Sequence, residues 1–204
     1  MPSTAYTLDT PTVVSAKGGD TRALRRMYDV LAPAVLGYAR GQGVEDPDAL
    51  ANEALYRALS ALASFEGDAA SFRSWVFTIA HNLIVDDRRR RSRRPTSVPL
   101  DHVRARPDGS FVADAALDRV EVTRTLGWIA ELTPDQRSVV LLRLVSDLPI
   151  DEVARIVGKS PGAVKALHRR GLAALRRRIV ADDTHENAAE GVSPSPDATF
   201  TPVP

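Results

Sequence analysis

Residues 151–178 read DEVARIVGKSPGAVKALHRRGLAALRRR, and the punctuation of this stretch decides the fold. Val153, Ala154, Ile156 and Val157 make a short apolar face. Gly158 then ends the helix with a residue suited to a left-handed turn, and Ser160-Pro161 opens the next one. The second helix carries Val164, Leu167, Gly171, Leu175 and Ile179 on one stripe. This is the spacing of a helix-turn-helix, whose second helix can enter a DNA major groove. With the apolar stripe turned inward, Lys165, His168, Arg169 and Arg170 are expected to point outward, toward base edges and phosphates. A helical hairpin with a solvated basic face reads the same way on this segment alone.

Working upstream, Thr133-Pro-Asp-Gln136 is a capping box that starts a helix bearing Val139, Val140, Leu142 and Leu144. Asp147-Leu-Pro149 breaks it. An earlier helix from Asp118 aligns Val122, Leu126 and Ile129. Farther back, a helix beginning near Asp20 repeats Leu24, Met27, Tyr28, Leu31, Val35 and Tyr38 at three-and-four spacing, and Pro33 is expected to kink it or start a second helix. Asp46-Pro47 caps a helix to about Ser64, striped by Leu50, Ala54, Leu55, Ala58, Leu59 and Leu62. After a loop over 65–70, a third helix turns Phe72, Trp75, Val76, Ile79, Ala80 and Leu83 inward and runs into arginines at 88–91, 93 and 94. The expectation is an all-α fold of two small helical domains joined by a flexible linker, the second a helix-turn-helix. Residues 20–92 and 118–180 form the domains and 93–117 the proline-bearing linker. Residues 1–19 are a flexible leader, and 181–204 a disordered acidic tail.

Composition narrows the function. Alanine, leucine and arginine dominate the 204 residues, and the absence of cysteine excludes disulfides and thiolate metal sites and fits a reducing cytoplasm. No apolar run approaches the ~18 residues that span a bilayer, so membrane insertion is not expected. The net charge of +1 hides a segregation of arginines at 88–94 and 165–178 from acids near 45–53 and 182–190. His81, His102, His168 and His185 are scattered, Asp86-Asp87 and Asp182-Asp183 are adjacent pairs that point apart on a helix, and no glycine-rich phosphate loop occurs. Neither an enzyme nor a cofactor is expected. The arginine run seeks phosphates, and because it extends a helix carrying Trp75 and Asn82 it stands beside groups able to meet bases. Core packing is the better reading of Trp75, and Phe65 at the loop edge fits either role.

Both blocks, from about Asp20 to Val180, resemble the extracytoplasmic-function sigma factors of the sigma-70 family. Residues 46–59 (DPDALANEALYRAL) look like the family's second-region helix, and 72–88 (FRSWVFTIAHNLIVDDR) like the helix that follows it. Residues 132–137 (LTPDQR) and 153–165 are similar to the fourth-region domain. The chain departs from the family pattern at Ala49 and Asn52, where aspartate and glutamine are usual, at His81, where arginine is common, and at Pro149, in place of a serine or threonine cap. The resemblance implies that Asp48, Asn52, Glu53 and Arg57 dock on core RNA polymerase, among its beta and beta-prime subunits, each of these four doubling as an ordinary solvated helix residue. It implies that Phe65, Asn82, Asp86, Arg88, Arg89, Arg90 and Arg91 capture the opened −10 element of promoter DNA. Ser160, Lys165, His168, Arg169 and Arg170 would read the −35 duplex. An anti-sigma factor covering the basic surfaces is a further partner that many family members have. The alternative from another class is an autonomous helix-turn-helix transcriptional regulator that binds duplex DNA without polymerase; such a protein has no need of an arginine-ended helix beside a docking helix.

Overall fold

A computed structural model describes residues 8–93 and 114–190, and among them the secondary structure is helical throughout. The first part holds α1 (Thr10–Lys17), α2 (Thr21–Gly41), α3 (Pro47–Ser60) and α4 (Ala69–Arg93), with a 3-10 turn over Leu62–Ser64. The second holds α5 (Asp114–Ala130), α6 (Pro134–Leu144), α7 (Ile150–Val157) and α8 (Pro161–Glu190). The expected linker over 93–117 falls largely outside the described residues, and α5 begins a turn before Asp118.

Each helix starts where the sequence offers a side-chain acceptor to orphan amides. Asp20 accepts from the Arg22 amide at 2.8 Å, Asp46 from Ala49 at 2.9 Å, and Asp68 from Ser71 at 2.8 Å. The last two bonds of this kind are on exposed carboxylates, and at Asp68 they hold the carboxyl below its ordinary pKa. Thr133 and Gln136 form the full capping box, and Gly158 ends α7 in the left-handed region at φ 64°. The core of the first part is Met27, Leu31, Val35, Tyr38, Leu55, Phe72, Phe77 and Ile84, all buried. In the second part Val139, Val140, Leu142, Val153 and Val164 are buried together with Gly171, where an added Cβ would lie 2.6 Å from Val140 Cγ2. Glycine at that point lets α8 cross α6 at close range.

Four expectations need correction. The leader expected over 1–19 is helical from Thr10, because Asp9 caps it through the Thr12 amide at 2.8 Å and Val13 and Ala16 bury against the first part. Pro33 neither breaks α2 nor starts a second helix; it sits on the exposed side of one continuous element. The tail expected to be disordered from 182 continues α8 to Glu190, with Asp182 accepting from Trp128 Nε1 and pairing with Arg178 at 3.1 Å. Val122 and Leu144, assigned to inner stripes, are 54% and 62% exposed. At α6 the buried position is Leu141 instead, since the helix meets α2 on that side.

Candidate nucleic-acid interface

The arginine run at the end of α4 divides by helical phase. Arg89, Arg90 and Arg93 share the exposed side of Asn82 and Asp86, while Arg88 and Arg91 fall on the side of Phe77, His81 and Ile84. Arg91 donates to the Gly43 carbonyl at 3.2 Å and pairs with Asp87 at 2.6 Å. Arg88 donates to the Gln42 side-chain oxygen, and partial burial lowers its pKa. Of the arginines expected to meet the −10 element, Arg89 and Arg90 therefore stand free toward solvent, with weak exposed pairs to Asp86 and Asp87 at 3.8 and 3.5 Å. Arg88 and Arg91 are tied to the turn after α2.

Below α2 and α4 lies His81, whose Nδ1 is 2.8 Å from the Tyr38 hydroxyl. Burial, and then the charge of Arg88, push its pKa down to about 4, so it is a neutral imidazole near neutral pH. Burial also raises the Tyr38 phenol well above its ordinary value.

The loop before α4 is organised by aromatic packing. Phe65 stacks on Trp75 at 5.3 Å and 19°, and Phe72 meets both rings edge-on at 5.0 and 5.7 Å. Phe72 is buried, while Phe65 and Trp75 are each half-buried and keep an edge open. Lys17 donates to the Phe65 carbonyl, and Thr10 Oγ1 accepts from the Ala69 amide at 3.3 Å, so α1 braces the loop from outside.

On α3, Asp48, Asn52, Glu53 and Arg57 are all exposed. Asp48 pairs with Arg40 at 3.6 Å, Glu53 with Arg57 at 2.7 Å, and Asn52 Oδ1 accepts from the Tyr28 hydroxyl at 3.1 Å. Tyr56 lies among them at 69% exposure. Sequence reading missed Tyr28 and Tyr56 as part of this face: Tyr28 fell on an apparent inner stripe, and Tyr56 carried no pattern of its own.

In the second part Ser160 caps α8 by accepting from the Ala163 amide at 3.3 Å, and Lys159 is drawn to Asp135 at 2.8 Å. Lys165, Arg169 and Arg170 project into solvent along the first turns of α8, with Lys165 and Arg169 one turn apart. His168 does not project with them. It is half-buried, its Nε2 is shielded without a hydrogen-bond partner, and burial followed by the charge of Arg143 lowers its pKa. Arg137, in the capping-box motif, serves the fold: it donates to the carbonyls of Ile129, Ala130 and Leu132 and closes the end of α5.

These two basic faces, one at the end of α4 and one at the start of α8, sit in regions with recognisable counterparts. Residues 27–94 match the model of sigma-70 region 2, and residues 128–175 that of sigma-70 region 4. The chain is 32% identical over 178 residues to the ECF RNA polymerase sigma factor BldN of Streptomyces coelicolor, an alignment covering 84% of this chain and 65% of that protein. To the ECF RNA polymerase sigma factor ShbA of Streptomyces griseus subsp. griseus it is 30% identical over 171 residues, covering 78% and 88% of the two chains. The structure of CnrH in complex with the cytosolic domain of CnrY has a similar fold, at a TM-score of 0.62 and 24% identity, over 85% of this chain and 98% of the other. Matches to both sigma-70 regions in the right order, together with relatives aligned along most of the chain, lead to one conclusion: this chain belongs to the extracytoplasmic-function RNA polymerase sigma factors of the sigma-70 family.

Proposed function

We propose that the chain is a promoter-specificity subunit that acts in the cytoplasm, joining core RNA polymerase and directing it to promoters rather than catalysing a reaction itself. The observation that carries this reading is the presence of two solvent-facing basic helix faces on separate helical parts, Asn82 with Arg89 and Arg90 on one and Lys165 with Arg169 and Arg170 on the other. Their chemistry suits two kinds of contact. The first face borders the Phe65–Trp75 stack, whose open edges can receive an unpaired base, while Asn82 can donate to or accept from a base edge. Binding energy for the separated strand then favours melting. The second face lies at the start of a helix-turn-helix recognition helix and suits the major groove of duplex DNA. Arg88 and Arg91 join the first face only if they leave Gln42 and Gly43.

The exposed face of α3, with Asp48, Asn52, Glu53 and Arg57 around Tyr56, is the polymerase-docking surface in this reading. It combines charges that orient a partner with an aromatic anchor that rewards burial. An anti-sigma factor is a natural inhibitor, since CnrH is found in complex with the cytosolic domain of CnrY. Among the described residues no helix is long and apolar enough to cross a membrane.

In vitro transcription by core polymerase over a promoter library tests the reading. Added chain is expected to produce initiation at a defined promoter class where bare polymerase gives none, and transcription unchanged at every promoter would overturn it. Asn82→Ala is expected to reduce open-complex formation tenfold or more, measured by permanganate reactivity, while changing duplex binding less than twofold.

A further inference from the structure

The two helical parts meet along a seam that neither DNA nor polymerase contact requires. Gly37 and Gly41 of α2 face Val145 and Leu141; a Cβ on Gly41 would lie 2.8 Å from the Leu141 methyls, so the backbones approach as closely as glycine allows. Around this contact three side-chain bonds cross between the parts. Gln42 Nε2 donates to Ser138 Oγ at 3.1 Å, Arg73 Nε to the Ser146 carbonyl at 2.7 Å, and Ser74 Oγ to Glu152 Oε2. Gln42, Ser74, Ser138 and Ser146 are all buried. The seam is thus specific, because each buried polar group has its partner. It is also reversible, because water can take over every one of those bonds once the parts separate.

We propose that this seam is an intramolecular latch: α6 and α7 dock on α2 and α4 to hold the chain in an idle form that opens before a promoter is engaged. The inference rests on the promoter-specificity reading above. Size decides against the latched form as the working one. Elements named for positions −10 and −35 lie about 25 base pairs apart, or roughly 85 Å along the duplex at 3.4 Å per pair. A compact chain of 204 residues has a radius of gyration of roughly 17 Å. It is therefore only about half as wide as the separation, and a chain latched at Gln42–Ser138 cannot hold both elements. The latch also reaches the −10 face. Gln42 binds Ser138 through its amide nitrogen and Arg88 through its oxygen, so undocking frees the clamp on an arginine of the phosphate-seeking run.

The natural absence of cysteine makes the test clean. The double variant Gln42→Cys with Ser138→Cys is oxidised, its disulfide scored by mobility on a non-reducing gel, and both redox states assayed for transcription with core polymerase on a promoter selected by the wild-type chain. The reduced variant is expected to transcribe as wild type does, the oxidised one at least tenfold less, with dithiothreitol restoring it. In parallel Gly41→Ala, which pushes against Leu141, is expected to enlarge the hydrodynamic radius and raise initiation severalfold at limiting concentration. Failure of the disulfide to form, full transcription by the cross-linked chain, or an unchanged radius for Gly41→Ala would overturn the latch. Absence of transcription in every state, wild type included, overturns both the promoter-specificity reading and the latch built on it.

Discussion

His81 occupies a position that a titratable group can hold only as a neutral base: behind Arg88, bonded to Tyr38, and almost wholly covered. Its folded pKa of about 4 lies below the 6.5 of a free imidazole, so between those values the unfolded chain binds a proton that the folded chain refuses. The contribution to stability is complete above pH 6.5 and is lost as the pH falls toward 4, and a depression of this size corresponds to about 3 kcal/mol. Urea denaturation at pH 7.0 and 4.5 is expected to give a loss of about 2–3 kcal/mol in the wild type and a markedly smaller one in His81→Gln. Equal losses in the two proteins would mean that the imidazole charges without leaving its site. The sequence marked His81 as a departure from the family arginine but could not say why a smaller neutral group serves there. The reason is tertiary: Arg88 already brings a cation to that corner.

Among the helices, those with strong caps and apolar periodicity were legible, as α3, α6 and α7 illustrate. The ones that were misread depend on contacts from outside themselves. α1, with the sequence TPTVVSAK, has two threonines, a proline and almost no amphipathic pattern, and an isolated helix of eight residues would not persist in water. Val13 and Ala16 hold it in place by packing against the first part, while Lys17 and Thr10 tie it to the Phe65 loop. Val13→Ala is accordingly expected to destabilise the chain by about 2 kcal/mol, a core-sized cost, read from the urea midpoint at constant slope. A leader without structural role would leave that midpoint unmoved. The basic face of α8 was legible at Lys165, Arg169 and Arg170, whose spacing places them opposite Val164 and Gly171. His168 was assigned outward because helical phase alone does not see Arg143 and the α6 wall beside it.

At the scale of the whole molecule, the division into two helical parts followed from the prolines between 95 and 107, but the seam between those parts had no signature in the chain. Gly41, Gln42 and Ser138 are ordinary helix-end residues until α6 is laid against α2, and no local pattern encodes that approach. The working arrangement is constrained differently, by DNA. If Arg89 and Arg169 each neutralise one phosphate or read one base on well-separated elements, they share no partner and their energies should add. Arg89→Ala and Arg169→Ala, measured as promoter affinity of the polymerase-bound chain, are each expected to weaken binding about tenfold, since charge-assisted contacts to DNA contribute on the order of 1–3 kcal/mol. The double variant should then lose about a hundredfold, within the ~0.5 kcal/mol that independent sites allow. Each substitution should also flatten the dependence of log affinity on log salt by about 0.9 for every phosphate contact removed. Additivity together with a halved salt effect in each single variant is what two separate grips on one promoter require. A double variant no worse than either single one would mean that the two faces act on a single DNA segment, the behaviour of an autonomous duplex binder whose parts never separate.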